Sequence, residues 1–129
     1  MNTTTDFQKQ QIMECYERLR KFVSDMDIED ENVYYDIRNM IEVKKIALPT
    51  AVYKAMMNFM DQVVEPYVFE DTTEIFSEEE AKRNEKGIVE IKSEQAFQKL
   101  MVRFMEKLSE LDAKIETFAE SELKPYLER

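Results

Sequence analysis

Asp25, Asp27, Glu29 and Asp36 stand at positions 1, 3, 5 and 12 of a twelve-residue stretch. That spacing of carboxylates is the ligand pattern of a helix–loop–helix calcium site. Two residues argue against one. Position 6, where the sharp turn takes glycine, is Asp30, and position 12 is Asp36, shorter than the usual bidentate glutamate. Apolar periodicity also runs on through Val33 and Ile37. The stretch therefore reads as an acid-rich turn opening a helix, where carboxylates complement the dipole, and no metal is assigned to it.

A second acidic group comprises Glu74, Glu78, Glu79, Glu80 and Glu85, with Glu70 and Asp71 just upstream. Its bland reading is a solvated connection. Its functional reading is a surface that docks on a basic partner or imitates nucleic-acid phosphates, diluted by Lys82, Arg83 and Lys86. Tyr34, Tyr35, Tyr67 and Phe69 place aromatics where one side of an element is expected to face water, as interface anchors do. The partner-binding set is accordingly Tyr34, Tyr35, Tyr67, Phe69, Glu74, Glu78, Glu79 and Glu80. Met56, Met57 and Met60, and then Met101 and Met105, read as core filler or as an adaptable groove for a partner helix. Cys15 reads as a small core residue.

The chain has 18 basic and 28 acidic residues, a net charge of −10, and no histidine. Without histidine there is no Ser–His or Cys–His nucleophile pair, no His-containing metal site and no Glu-x-x-His di-metal motif. No carboxylate pair stands out among so many, so catalytic residues and cofactors are not assigned and the protein is read as no enzyme. The negative charge repels phosphate backbones and anionic lipid headgroups, which excludes direct nucleic-acid and membrane binding. Met1–Asp6 has neither a basic patch nor an apolar run, so no signal peptide is expected. No apolar stretch approaches ~18 residues. With a single cysteine, these features lead to the expectation of a cytoplasmic protein.

The elements that must position these residues are helical. One glycine and three prolines argue against a sandwich or barrel, and 129 residues at 43% hydrophobic suffice for one domain over residues 1–129. Ile12, Tyr16, Leu19, Val23 and Met26 recur at 4-3-4-3 spacing and predict a first helix from Asp6 to Met26, capped by Thr5 or Asp6. Glu14–Arg18 and Glu17–Lys21 are expected as i,i+4 pairs on its outer face. A second helix opens at Glu29 or Asp30, with Val33, Ile37, Met40 and Ile41 inward. Pro49 suits the first position of a third, whose seam is Val52, Met56, Phe59 and Val63 and which Pro66 ends or kinks.

Residues 67–92 are the irregular part. Tyr67-Val68-Phe69 and Gly87–Ile91 read as extended and able to pair as a short β-ribbon, with a short helix from Ser77 to about Glu85. Ser93 then caps the longest helix, with Phe97, Met101, Phe104, Leu108, Leu111, Ile115 and Phe118 in 4-3 alternation until Pro125 stops it. It outruns its neighbours, which points to a homodimer through this helix. There is no repeat at a solenoid period. The expected fold is all-α, a mostly antiparallel four-helix bundle with an irregular 67–92 connection. The expected function is a non-enzymatic protein–protein interaction module, an adaptor or regulator. The alternative is an acidic inhibitor or nucleic-acid mimic that occupies a basic cleft of a target, such as a defence-system component.

Overall fold

The computed structural model describes residues 3–71, 81–83, 86, 89–91 and 93–128. Among these residues the fold is all-α apart from one small two-stranded pairing. Helix α1 spans Asp6–Ser24 and starts at Thr5, whose hydroxyl accepts the Gln8 N–H while the Gln8 side chain reaches back to the Thr5 N–H. This reciprocal box satisfies two backbone donors that a helix start otherwise leaves unpaired. The helix ends at Ser24, two residues before the expected Met26, with Asp25 as its C-cap. The Asp27 N–H then reaches the Phe22 carbonyl and the Met26 N–H the Val23 carbonyl, a Schellman closure. Met26 sits at φ 61°, the left-handed position that glycine usually fills, and it is 59% exposed. Ile28, not Met26, carries the chain back into the core.

Helix α2 (Glu31–Val43) is capped by Asp30, whose carboxylate accepts the Asn32 and Val33 N–H groups. Asp36 lies within this helix. The carboxylates of the twelve-residue stretch are thus divided between a turn, a cap and a helix. Helix α3 (Thr50–Phe59) begins one residue after Pro49, which serves as its N-cap. It continues through a π-helical turn, Met60–Val64, into the short α4 (Glu65–Val68). Strands β1 (Ala81–Arg83) and β2 (Val89–Ile91) pair antiparallel, Lys82 opposite Glu90. Helix α5 (Glu94–Phe118) is capped by the Ser93 hydroxyl on the Ala96 N–H. A second π-helical turn, Ala119–Leu123, leads into α6 (Lys124–Leu127).

Three expectations are corrected. Tyr67 and Val68 are helical, so the ribbon between 67–69 and 87–91 does not form. The extended backbone of Ala81–Arg83 excludes a helix reaching Glu85, while residues 77–80, 84, 85, 87 and 88 lie outside the described residues. Pro125 does not stop its helix, which runs on to Leu127, and of the two readings of Pro66 the helix end is excluded, since helical backbone continues to Val68. Proline in a helix clashes with the carbonyl four residues back and donates no hydrogen bond. In both places a wider turn precedes the proline and relieves that conflict, and the helix goes on for a final turn.

The two prolines belong to a pattern that occurs twice, 59 positions apart. Phe59, a five-residue π turn, then Glu65-Pro66-Tyr67-Val68 matches Phe118, a five-residue π turn, then Lys124-Pro125-Tyr126-Leu127. The equivalent rings Phe59 and Phe118 stack on one another, centroids 4.4 Å apart.

One core cluster joins the long helices, among them Ile12, Phe22, Ile37, Met56, Leu111 and Ile115. Polar contacts give the neighbours. Lys44 at the end of α2 reaches Gln11 and Glu14 on α1, with Glu14 at 2.7 Å. Glu14 is thereby engaged away from Arg18, whose Nη1 is buried with no hydrogen-bond partner among the described residues. Arg38 on α2 holds Asp61 at 3.0 Å, and Tyr16 on α1 donates to Glu116 on α5 at 2.6 Å. No helix among the described residues is long and apolar enough to cross a membrane.

Candidate functional site

Lys107 decides how one end of the molecule is built. Its side chain is 1% exposed, and its ammonium lies 3.1 Å from Glu29 and 3.9 Å from Glu70. Glu29 belongs to the turn between α1 and α2, and Glu70 follows α4. Arg103, one turn before Lys107 on α5, grips Glu70 with two nitrogens, Nε at 2.9 Å and Nη2 on the other oxygen. The same guanidinium offers Nη1 to Glu106 at 3.4 Å and Glu110 at 3.3 Å. The hydrogen bonds from Arg103 hold the Glu70 carboxyl below the usual carboxylate range, against the opposing effect of burial. Paired in this way, the arginine is pushed further into its charged form.

Because the α1–α2 turn sits beside Lys107, the stretch of α5 before Lys107 runs past the end of α1. Phe104 in this stretch still packs against the core, but the seam ahead of it is exposed. Phe97 is 51% exposed and Met101 43%, and Val102 and Met105 are also exposed. From Leu108 onward the same periodicity is buried: Leu108, Leu111, Ile115 and Phe118 all belong to the core.

The four sequence-selected aromatics divide. Tyr34 is 1% exposed and donates its hydroxyl to the Met60 carbonyl at 3.3 Å, so its expected outward position is corrected. Burial pushes its hydroxyl pKa up to about 12. That carbonyl opens the π turn and also accepts the Glu65 N–H, so the tyrosine helps satisfy the widened turn. Tyr67 is buried too, with the Lys114 ammonium 4.9 Å from its ring centroid. Tyr35 and Phe69 remain exposed and meet at 6.0 Å over Tyr34. Glu74, Glu78, Glu79 and Glu80 lie outside the described residues. Of the methionines, Met56 and Met60 are core residues, Met57 packs against the core, and Met101 and Met105 face outward.

Beside the stacked phenylalanines, a cleft of about 840 Å³ opens between the π turn and α4 on one side and α5 on the other. Phe59, Val63, Tyr67 and Phe118 form its apolar lining, and Gln62, Glu70, Arg103, Glu110, Lys114 and Thr117 its polar edge. A groove of about 560 Å³ with Val102 and Glu106 on α5 shares Arg103 with it. Across the phenylalanine pair, Glu122 and Val63 border a smaller hollow of about 180 Å³.

Cys15 is buried, and burial raises its thiol pKa to about 11 despite nearby Lys44. It is a core residue whose burial disfavours the thiolate. No group of three or more Cys, Asp or Glu side chains among the described residues is placed to hold a metal ion.

Sequence reading missed Lys107, Arg103 and the cleft. A lysine and an arginine one turn apart look like ordinary surface charges, and only the fold buries one of them. The repeated Phe-x6-Pro-Tyr pattern was the available signal for the cleft, since it fixes the two rings that border it. These features define an all-α protein with an apolar cleft and exposed apolar side chains on the early part of α5. Comparison with known proteins finds no matching family model, no matching curated protein and no matching solved structure.

Proposed function

We propose that the protein is a non-enzymatic interaction module, an adaptor or regulator, which holds another protein at the end of the molecule where α5 outruns α1. The observation that carries this reading is the exposure of Phe97 and Met101, in line with the buried seam, with Val102 and Met105 beside them. Water-exposed side chains in continuation of a buried seam are unusual on a monomer and mark contact surfaces. The exposed faces of Tyr35 and Phe69, held over Tyr34, add aromatic anchors.

The arrangement behind it is a mostly antiparallel four-helix bundle forming one domain. Support comes from contact order. Lys44 meets Glu14 while the short turn after Ser24 joins the other ends of α1 and α2; Arg38 meets Asp61 while Lys45 lies over Tyr53; Tyr16 meets Glu116 while Glu29 meets Lys107; and Phe59 meets Phe118 while Glu70 meets Arg103. In each pair one partner climbs as the other descends. The reading includes a cytoplasmic setting, a partner with a basic surface that complements the net charge of −10, and a second copy of the chain as one occupant of the seam.

The test pairs native-cell affinity capture with sedimentation, on the wild type and on Met101→Asp/Met105→Asp. The reading expects a specific captured protein, or a dimer, that the variant loses while its melting curve is retained. Capture and mass unchanged by the variant would refute the seam. The second reading, an acidic inhibitor seated in a basic cleft, rests on net charge alone. It requires affinity for the target to fall steeply with salt and to survive the Met101→Asp/Met105→Asp change.

A further inference from the structure

We infer that a hollow at the start of α3 binds the phosphate group of a small molecule. The hollow, of about 640 Å³, is bordered by the segment that leads into α1, by the first turn of α3 and by Tyr126 on α6. It shares no residue with the exposed Phe97–Met101 face, so the site stands whether or not that face holds a partner.

The first observation is the backbone. A helix leaves its first N–H groups without intrahelical partners, and they point out of its N-terminal end. In α3 the Tyr53 N–H is the first to reach a carbonyl, that of Pro49 at 3.0 Å. Pro49 is the N-cap, and its side chain has no acceptor to offer the earlier N–H groups. Two of the residues that carry them, Thr50 and Ala51, are exposed and line the hollow. Free N–H groups and the aligned peptide dipoles together favour an anion at this place.

The second observation is independent of the helix. Thr4 also borders the hollow, is only 5% exposed, and makes no hydrogen bond with the described residues. Its hydroxyl is not sealed away: among the described residues the side-chain atom that is both shut off from solvent and unpartnered is Nη1 of Arg18. A buried hydroxyl is costly to leave unpaired, and the open direction from Thr4 is the hollow that it borders.

The third observation is the chemistry of the remaining lining. Lys54, one turn into α3, is exposed and makes no ion pair, hydrogen bond or ring contact with the described residues. Gln8 gives its side-chain oxygen to the Thr5 N–H, which leaves its amide nitrogen as a donor. No carboxylate lines the hollow, in a chain with 28 acidic residues. The cleft and grooves along α5 each include one or more of Glu70, Glu106, Glu110 and Glu122. Donors thus approach the hollow from the α3 backbone, from Lys54 and from the segment before α1. A carboxylate presents two oxygens in one plane, whereas the tetrahedral oxygens of a phosphate accept from all of these directions. The volume lies in the range of small-molecule sites, and Pro49 and Tyr126 offer apolar surface to an organic remainder. The net charge of −10 repels polyanions laid along the surface, but salt screens it beyond ~8 Å, while the donors of the hollow act at contact.

The test titrates the isotope-labelled protein with inorganic phosphate, phenyl phosphate and benzoate, at matched pH and ionic strength, and follows amide NMR shifts. Each compound is taken to ~20 mM, which fills a millimolar site. Inorganic phosphate and phenyl phosphate are expected to bind saturably, with shifts at Thr4, Gln8, Thr50 and Ala51. Tighter binding of phenyl phosphate assigns the hollow to a phosphorylated small molecule, and equal or weaker binding assigns it to free phosphate. Benzoate is expected to bind about tenfold more weakly than phenyl phosphate. Lys54→Met and Thr4→Val are each expected to weaken phosphate about tenfold, the loss of one hydrogen bond to a charged group. Lys54 is exposed, so Lys54→Met keeps the test decisive should Thr4→Val disturb folding. The inference is overturned if neither phosphate compound gives saturable shifts, if the shifts fall away from the start of α3, if benzoate binds as tightly as phenyl phosphate, or if Lys54→Met binds like the wild type.

Discussion

Lys107→Met is expected to leave stability within about 1 kcal/mol of the wild type or to raise it, although it deletes a buried ion pair. The ammonium is 1% exposed, so folding strips nearly all its water. Its carboxylate partners do not depend on it. Glu29 is 42% exposed and keeps its hydration, and Glu70 is gripped by Arg103 through two hydrogen bonds. Removing the charge therefore strands neither partner, and methionine fills most of the vacated volume with atoms that gain from burial. Replacing a buried ion by an apolar side chain of similar size is often neutral or stabilising by ~1–4 kcal/mol. The converse perturbation behaves differently. Glu29→Gln/Glu70→Gln leaves the lysine buried without its two carboxylates, a change that costs ~3–5 kcal/mol where a buried charge loses its partners. Urea unfolding followed by circular dichroism, at matched slopes, measures both. The reasoning is refuted if Lys107→Met loses about 3 kcal/mol or more, or if the double glutamine variant is no less stable than Lys107→Met.

Four further outcomes are expected. Met26→Gly should gain about 1 kcal/mol in urea unfolding, because glycine takes the left-handed position at φ 61° without a Cβ penalty; an unchanged or lowered midpoint would contradict this. Leu108→Ala should lose ~2–5 kcal/mol, and a loss below about 0.5 would mean that the buried half of the α5 seam is misplaced. The Glu70 carboxyl is lowered in the folded state, so its contribution is complete above the ordinary carboxylate pKa of ~4.3 and is lost as pH falls from there through the folded value; Glu70→Gln should flatten this acid limb, and an identical limb would refute the pairing. With its pKa at about 11, about one Cys15 thiol in a thousand is ionised at pH ~8, so a thiol reagent should label it far more slowly in the native protein than in urea, and equal rates would show that the site is open.

The amino-acid sequence alone determined the long helices and their starts. Ser93 caps α5 as read, and Thr5 and Asp30 cap α1 and α2 where the sequence offered Thr5 or Asp6 and Glu29 or Asp30, because a cap is a matter of one side chain and the next three N–H groups. The 4-3 spacing likewise marked the inward faces of α1, α2, α3 and the later half of α5, since helical geometry ties spacing to direction. Only the tertiary structure decided the rest. Pro66 and Pro125 are local helix breakers, yet each helix continues, and at Pro66 the packed Tyr34 hydroxyl supports the π turn from another helix. Tyr34 and Tyr35 are adjacent and alike in sequence, but one is enclosed beneath Phe69 and the other faces water. Phe97 and Met101 follow the same period as Leu111 and Ile115. Periodicity states which way a side chain points along its own helix; whether anything lies there depends on where α1 turns back, and that turn is set beside Lys107 by contacts between residues 78 positions apart.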